Sequence, residues 1–167
     1  KTLKELDLSM KPSLDFARDM FMFSFYTRGM SFVDMAYLRK TDLQNGILTY
    51  RRRKTGQELS IKWEKCMAEI VAKYPENQTD FLLPIIEEQG NERRQYDNAL
   101  HLVNYRLKEL STMLKLQRPL TMYVARHSWA SAAKVKNVPL SVISEGMGHD
   151  SEATTQIYLA SLETSVV

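Results

Sequence analysis

The sequence predicts an α+β protein, mostly helical, with one small antiparallel β-hairpin or sheet, and three observations predict it. Apolar residues recur at helical spacing over most of the chain. One stretch, residues 47–61, changes to alternation with β-branched and aromatic residues, and Gly and Pro punctuate the pattern at element boundaries. At 167 residues, with 44% hydrophobic and 10% aromatic content, the chain fits one domain with a buried core, so residues 1–167 are expected to fold as a single unit.

The elements follow in order. "SLDFARDMFMFSFY", residues 13–26, has Pro12 before it, Ser13 at a capping position and an apolar stripe, which predicts a largely buried first helix that Gly29 breaks. Ser31 starts a second helix, "SFVDMAYLRK", in which Phe32, Met35 and Leu38 are separated by helical steps. "TDLQNG" is a turn carrying the Asn45-Gly46 signal, and "ILTYRRRKTGQELSI" reads as a β-hairpin centred on Thr55-Gly56. Alternation puts Ile47, Thr49, Arg51 and Arg53 on one face and Leu48, Tyr50, Arg52 and Lys54 on the other, so one basic set faces a ligand whichever way the sheet packs. Further helices are expected over 62–73, 91–116, 121–136, 139–147 and 152–162, separated by Pro75, Pro84, Gly90, Pro119, Pro139 and Gly148.

Composition narrows the functional classes. The single Cys66 excludes an intrachain disulfide, and three scattered His with one Cys make no structural zinc site, so no metal and no cofactor are expected. Apolar runs are broken by charges well short of the ~20 residues of a bilayer span, and no signal-peptide pattern opens the chain, so a cytoplasmic protein is expected. A net charge of +3 is only mildly basic. Clustering says more: Arg51, Arg52, Arg53 and Lys54 are consecutive and Arg93 and Arg94 form a pair, which suits a polyanionic partner, although either cluster in isolation reads more readily as a solvated edge.

The last third carries Arg126, His149 and Tyr158, in the strings "YVARHSWAS" and "MGHDSEATTQIY". A guanidinium clamps phosphate without losing its charge, an imidazole donates a hydrogen bond or a proton, and a phenol can become a covalent nucleophile. Taken singly, each is as readily a solvated charge, a cap residue or a packed ring. The small residues around Arg126 let its helix approach other elements closely with the guanidinium pointing outward. Gly146 and Gly148 allow a tight turn that brings His149 near a helix N-terminus.

Together these strings resemble the tyrosine recombinase (phage-type integrase) family, whose C-terminal signature reads Arg-His-Ser/Thr, then Leu-Gly-His, then a Thr-Thr-x-x-Tyr run. The "YTRGMSFVDMAYLRK" string is similar to integrases of bacterial conjugative transposons and prophages. The resemblance runs from about Ser13 to Tyr158 and implies the catalytic-domain fold of that family. It further implies that Tyr158 attacks a DNA phosphate to give a 3'-phosphotyrosine and a free 5' hydroxyl. Arg126 would stabilise charge on the phosphate, His149 would donate a hydrogen bond or shuttle a proton, and Lys54 would protonate the leaving oxygen. The covalent link stores the phosphodiester energy, so no nucleotide cofactor or metal is implied. Double-stranded DNA carrying recombination sites is the implied partner, bound by a homotetramer assembled from monomers. Arg51, Arg52, Arg53, Lys54 and Arg126 are the candidate DNA contacts. The chain begins at Lys1 inside an amphipathic pattern, and the resemblance implies a separate N-terminal DNA-clamping domain that residues 1–167 do not supply.

Two positions depart from the family's pattern. The register of "GMSFVDMAYLRKTDL" puts Ser31 where the first catalytic arginine belongs, and a Ser brings a hydrogen bond but no charge. Arg28, about one helical turn upstream, is the expected substitute with Ser31 as auxiliary; Arg39 or a hairpin arginine is held in reserve. Tyr123 stands where the family has a His three residues before the main arginine, and a phenol titrates too high for near-neutral acid–base work. Asp34 is expected to orient a basic partner, and His127 to serve packing and hydrogen bonding. The leading expectation is a site-specific recombinase. The alternatives are a DNA-binding domain with lost strand transfer and a related enzyme that relaxes supercoils.

Overall fold

The computed structural model describes residues 2–149 and 151–165. Helix α1, Pro12–Tyr26, opens with Pro at its first turn and Lys11 at the cap position, because proline lacks the N–H that a helix start leaves unpaired. Ser13 therefore lies inside the helix rather than capping it, and its hydroxyl accepts a hydrogen bond from Arg106 Nε at 3.2 Å. Leu14, Ala17, Met20, Phe21 and Phe23 of α1 are buried, and the helix packs against the third, fourth and fifth helices. Asp19, also buried, holds Lys73 Nζ at 2.9 Å and the Tyr74 hydroxyl at 2.5 Å, which ties α1 to the segment after the third helix.

Helix α2, Phe32–Tyr37, is capped by Ser31, whose Oγ accepts the Asp34 N–H. It ends at Tyr37 rather than continuing to Lys40, because Leu38 is extended at ψ 129° and Arg39 bridges to Phe81. Three antiparallel strands follow in the order β1 (Leu43–Gln44), β2 (Ile47–Arg51), β3 (Glu58–Lys62). Asn45 and Gly46 both have positive φ, 53° and 74°, as the two-residue turn between β1 and β2 demands, so the Asn-Gly signal adds a strand to the expected hairpin. Leu48 pairs with Ile61 and Tyr50 with Leu59, and these four side chains form the sheet's buried face.

The remaining helices are α3 (Lys65–Ala72), α4 (Glu92–Met113), α5 (Met122–Val135), α6 (Leu140–Met147) and α7 (Glu152–Ser165). Lys62 still belongs to β3, which delays α3 relative to the expected start, and α7 runs beyond residue 162. Thr121 caps α5 by accepting the Val124 N–H. Two apolar clusters result. The larger joins α1 to α4, the sheet and the first turns of α5; the smaller joins Ala130 and Ala133 of α5 to Ile143, Met147 and Leu159 of α6 and α7. Among the described residues no helix is long and apolar enough to cross a membrane, and no three His, Cys, Asp or Glu gather as a metal site would need.

Candidate active site

Arg126 sits where the two apolar clusters meet. Contrary to the outward pose expected from its neighbours, it is 7% exposed. A buried guanidinium needs acceptors, and the main chain supplies them: Nη1 donates to Gly29 O at 3.0 Å and Nη2 to Met147 O at 2.7 Å. Gly29, at φ 74°, makes this approach possible, since a Cβ there would lie 2.7 Å from the Arg126 Cα. Burial, then the nearby Arg52 charge, lowers the pKa of Arg126, yet a guanidinium stays protonated in proteins. The result is a fixed cation with little freedom to reorient.

His149 follows the end of α6. Gly148 takes the left-handed conformation at φ 71°, and the His149 N–H returns to Ser144 O at 3.1 Å, closing a Schellman-type cap that aims the imidazole inward. Gly146 does not share in this turn; it lies within α6 and faces Trp129. The imidazole Nδ1 meets Thr155 Oγ1 on the first turns of α7 at 2.7 Å, and its Nε2 faces Arg126 Nη2 at 3.5 Å.

Tyr158, on α7, is half-buried. Its hydroxyl meets His127 Nδ1 at 2.7 Å, the two rings are near-parallel at 6°, and the His149 ring stands edge-on to it with centroids 5.8 Å apart. Burial, then Tyr123, raises the pKa of the phenol above its usual value, while the Arg126 charge acts the other way. Burial and the adjacent Arg126 lower that of His127, which is therefore neutral at neutral pH.

The hairpin supplies the opposite wall. Its inward register continues from Leu48 and Tyr50 to Arg52, which is buried and donates to Gly148 O at 3.4 Å. The loop is closed by Arg52 N–H to Gln57 O and Gly56 N–H to Arg52 O, and Arg53 N–H donates to Asp34 Oδ1 at 3.0 Å. Ser31 Oγ donates to the other Asp34 oxygen at 2.9 Å. Asp34 thus orients a backbone N–H and a hydroxyl rather than the basic side chain expected of it, and through them it fixes the loop that carries Lys54.

One open groove of about 650 Å³ is lined by Ser31, Arg52, Lys54, Tyr123, Arg126, His149 and Tyr158 together. Arg28 is not among its lining residues. It adopts a positive φ of 64°, and its Cδ runs beside Gly146 near Trp129. Arg51 and Arg53 line a separate depression with Asp34 and Tyr37, where the Arg53 guanidinium lies 4.0 Å from the Tyr37 ring centroid. The basic run therefore splits: Arg52 and Lys54 face Arg126, and Arg51 and Arg53 do not. The alternation of the hairpin contained that split. Nothing local in the sequence pointed to the His127–Tyr158 contact or to the Thr155 partner of His149.

A helical α+β domain bearing its guanidiniums, imidazole and tyrosine around one groove matches a known family along nearly its whole length. The phage integrase family model covers residues 6–164, and the chain belongs to that family. The tyrosine recombinase XerA of Thermococcus kodakarensis is 27% identical over 135 residues, which span 80% of this chain and 47% of that protein. Three crystal structures share the fold. The XerA recombinase matches with a TM-score of 0.57 at 17% identity, over 86% of this chain and 57% of that one. The XerH recombinase bound to a palindromic difH substrate after cleavage gives 0.66 at 17% identity, over 98% of this chain and 47% of that one. XerH bound to difH before cleavage gives 0.65 at 18% identity, over 94% and 46%. The chain thus spans about half the length of the relatives it matches.

Proposed function

We propose that this chain is the catalytic part of a site-specific DNA recombinase or integrase, which cuts and rejoins duplex DNA through a 3'-phosphotyrosine intermediate. The observation that carries the reading is the convergence of Arg126, His149, Tyr158, Arg52 and Lys54 on one groove. In the proposed reaction the Tyr158 oxygen bonds to phosphorus, the bond from phosphorus to the 5' oxygen breaks, and Lys54 gives that oxygen a proton. Arg126 and the His149 imidazole stabilise the charge on the non-bridging oxygens. The Tyr123 hydroxyl serves as a lesser donor in the same groove, and Ser31, whose one proton goes to Asp34, is an auxiliary that helps to hold the hairpin loop. Family membership and the DNA substrates named for XerH support duplex DNA as the partner.

Arg52, rather than Arg28, is proposed as the second guanidinium in place of the arginine that Ser31 replaces. It is buried beside Arg126 and lines the groove, whereas Arg28 does not line it and runs beside Gly146. Arg51 and Arg53 contact flanking DNA backbone in this reading. The protein works in the cytoplasm on DNA of a mobile element, as a tetramer across two sites assembled from monomers, and the strand-exchange sequence proceeds through a Holliday junction.

Covalent trapping tests the reading. The protein and its Tyr158→Phe variant are incubated with a nicked suicide duplex carrying the element's own attachment site and resolved on a denaturing gel. A shifted band that requires Tyr158 is the expected result. Equal DNA binding by both proteins with no adduct in either would sink the enzyme and leave a binding domain.

A further inference from the structure

A phenol that attacks phosphorus must lose its proton, and burial makes that loss harder for Tyr158. At the position where the family's helix carries a His, this chain has Tyr123, which is 62% exposed and offers a hydroxyl in place of a basic ring nitrogen. One helical turn further along the same face stands His127, whose ring touches that of Tyr123 edge-on with centroids 4.5 Å apart. Its Nδ1 lies 2.7 Å from the Tyr158 oxygen.

Building on the recombinase reading above, we propose that His127 is a catalytic residue, the base that takes the phenolic proton of Tyr158 during cleavage and returns it during rejoining. With the imidazole proton on Nε2, the Nδ1 lone pair accepts the Tyr158 O–H. As the bond from Tyr158 to phosphorus forms, that proton moves to Nδ1 and leaves an imidazolium. The bond from phosphorus to the 5' oxygen breaks, and that oxygen takes its proton from Lys54. Rejoining runs both transfers backwards, so protons and charges balance over the cycle with no added reagent. The 2.7 Å separation puts the phenol oxygen within direct proton-transfer reach of Nδ1, with the two rings near-parallel and their centroids 5.2 Å apart. His149 is already engaged differently, through Thr155 and Arg126.

The ionisable groups facing His127 are Arg126 and Tyr123 on its own helix and Tyr158 on α7, with His149 beyond the phenol and Arg52 and Lys54 across the groove. Burial and Arg126 keep His127 neutral, so its basic form persists below the ordinary imidazole value of about 6.5.

Single-turnover cleavage of the suicide duplex is measured from about pH 5 to 9 with the wild type, His127→Asn, His127→Ala and Lys54→Ala. Asn keeps an acceptor near the Nδ1 position without a basic lone pair. Both His127 variants are expected to cleave about a hundredfold or more slowly while binding DNA normally. The wild-type rate should fall at low pH, below the ordinary imidazole range, and that acid limb should vanish in His127→Asn. Replacing the bridging 5' oxygen by sulfur removes the need for a leaving-group proton. It should restore Lys54→Ala and leave both His127 variants slow.

In the free protein, the His127 pKa read from its ring nitrogen shifts should change on Tyr158→Phe, a readout independent of how the His127 variants fold. His127→Asn that cleaves at the wild-type rate with the wild-type pH profile would overturn the assignment alone. A wild-type protein with no Tyr158-dependent adduct would overturn the recombinase reading, and the assignment with it.

Discussion

Arg52 and Arg126 are neighbouring buried cations, and among the described residues Arg52 is anchored to one main-chain carbonyl and Arg126 to two, with no carboxylate paired to either. Two guanidiniums held this way repel each other and gain from an anion between them, which is the electrostatic condition for clamping a phosphate. Arg52→Ala is expected to slow cleavage about 10²- to 10³-fold with near-normal DNA affinity, measured by single-turnover kinetics beside a filter-binding titration. Arg52→Lys should recover only part of the loss, because a point charge does not reproduce the planar fork. Arg28→Ala should affect melting temperature more than cleavage rate if its place beside Gly146 and Trp129 is structural.

At the scale of elements, the site depends on how closely α5 approaches the end of α1. Gly29→Ala would put a methyl 2.7 Å from the Arg126 Cα and force a non-glycine residue to φ 74°. The expected cost is about 3 kcal/mol, read as a shift of the urea midpoint. Helix boundaries were largely legible in the sequence: Pro12, Thr121 and Gly148 stand where local chemistry starts or stops a helix. The end of α2 was not, since its apolar stripe continues through Leu38 while a distant partner, Phe81, draws Arg39 into a bridge. Strand β1, of two residues, is too short to show alternation. The candidate nucleophile, clamp and imidazole were legible as a motif. The burial of Arg126 was not, because its acceptors lie 97 and 21 residues away in the chain.

Across the whole molecule, stability is distributed unevenly. The larger apolar cluster holds α1, α4 and the sheet, whereas α6 and α7 rest on a small cluster built around Ala130, Ala133, Ile143, Met147 and Leu159. Local opening free energy follows buried apolar contact. Amides of α6 and α7 are therefore expected to exchange with deuterium well before those of α1 and the buried face of α4, as hydrogen-exchange mass spectrometry would register; uniform protection would contradict that division. Tyr158 and His149 belong to the looser part, Arg52 and Lys54 to the firmer one, and Arg126 to their junction.

The anchoring of Arg126 to Met147 O also sets an order in time. A chain emerging from the ribosome completes its hairpin and its first helices long before residue 147 exists, so the clamp waits with one anchor missing and the phenol is synthesised later still. Under the proposed function, a nascent polypeptide near the chromosome is harmless until the segment from Met147 to Tyr158 has been made.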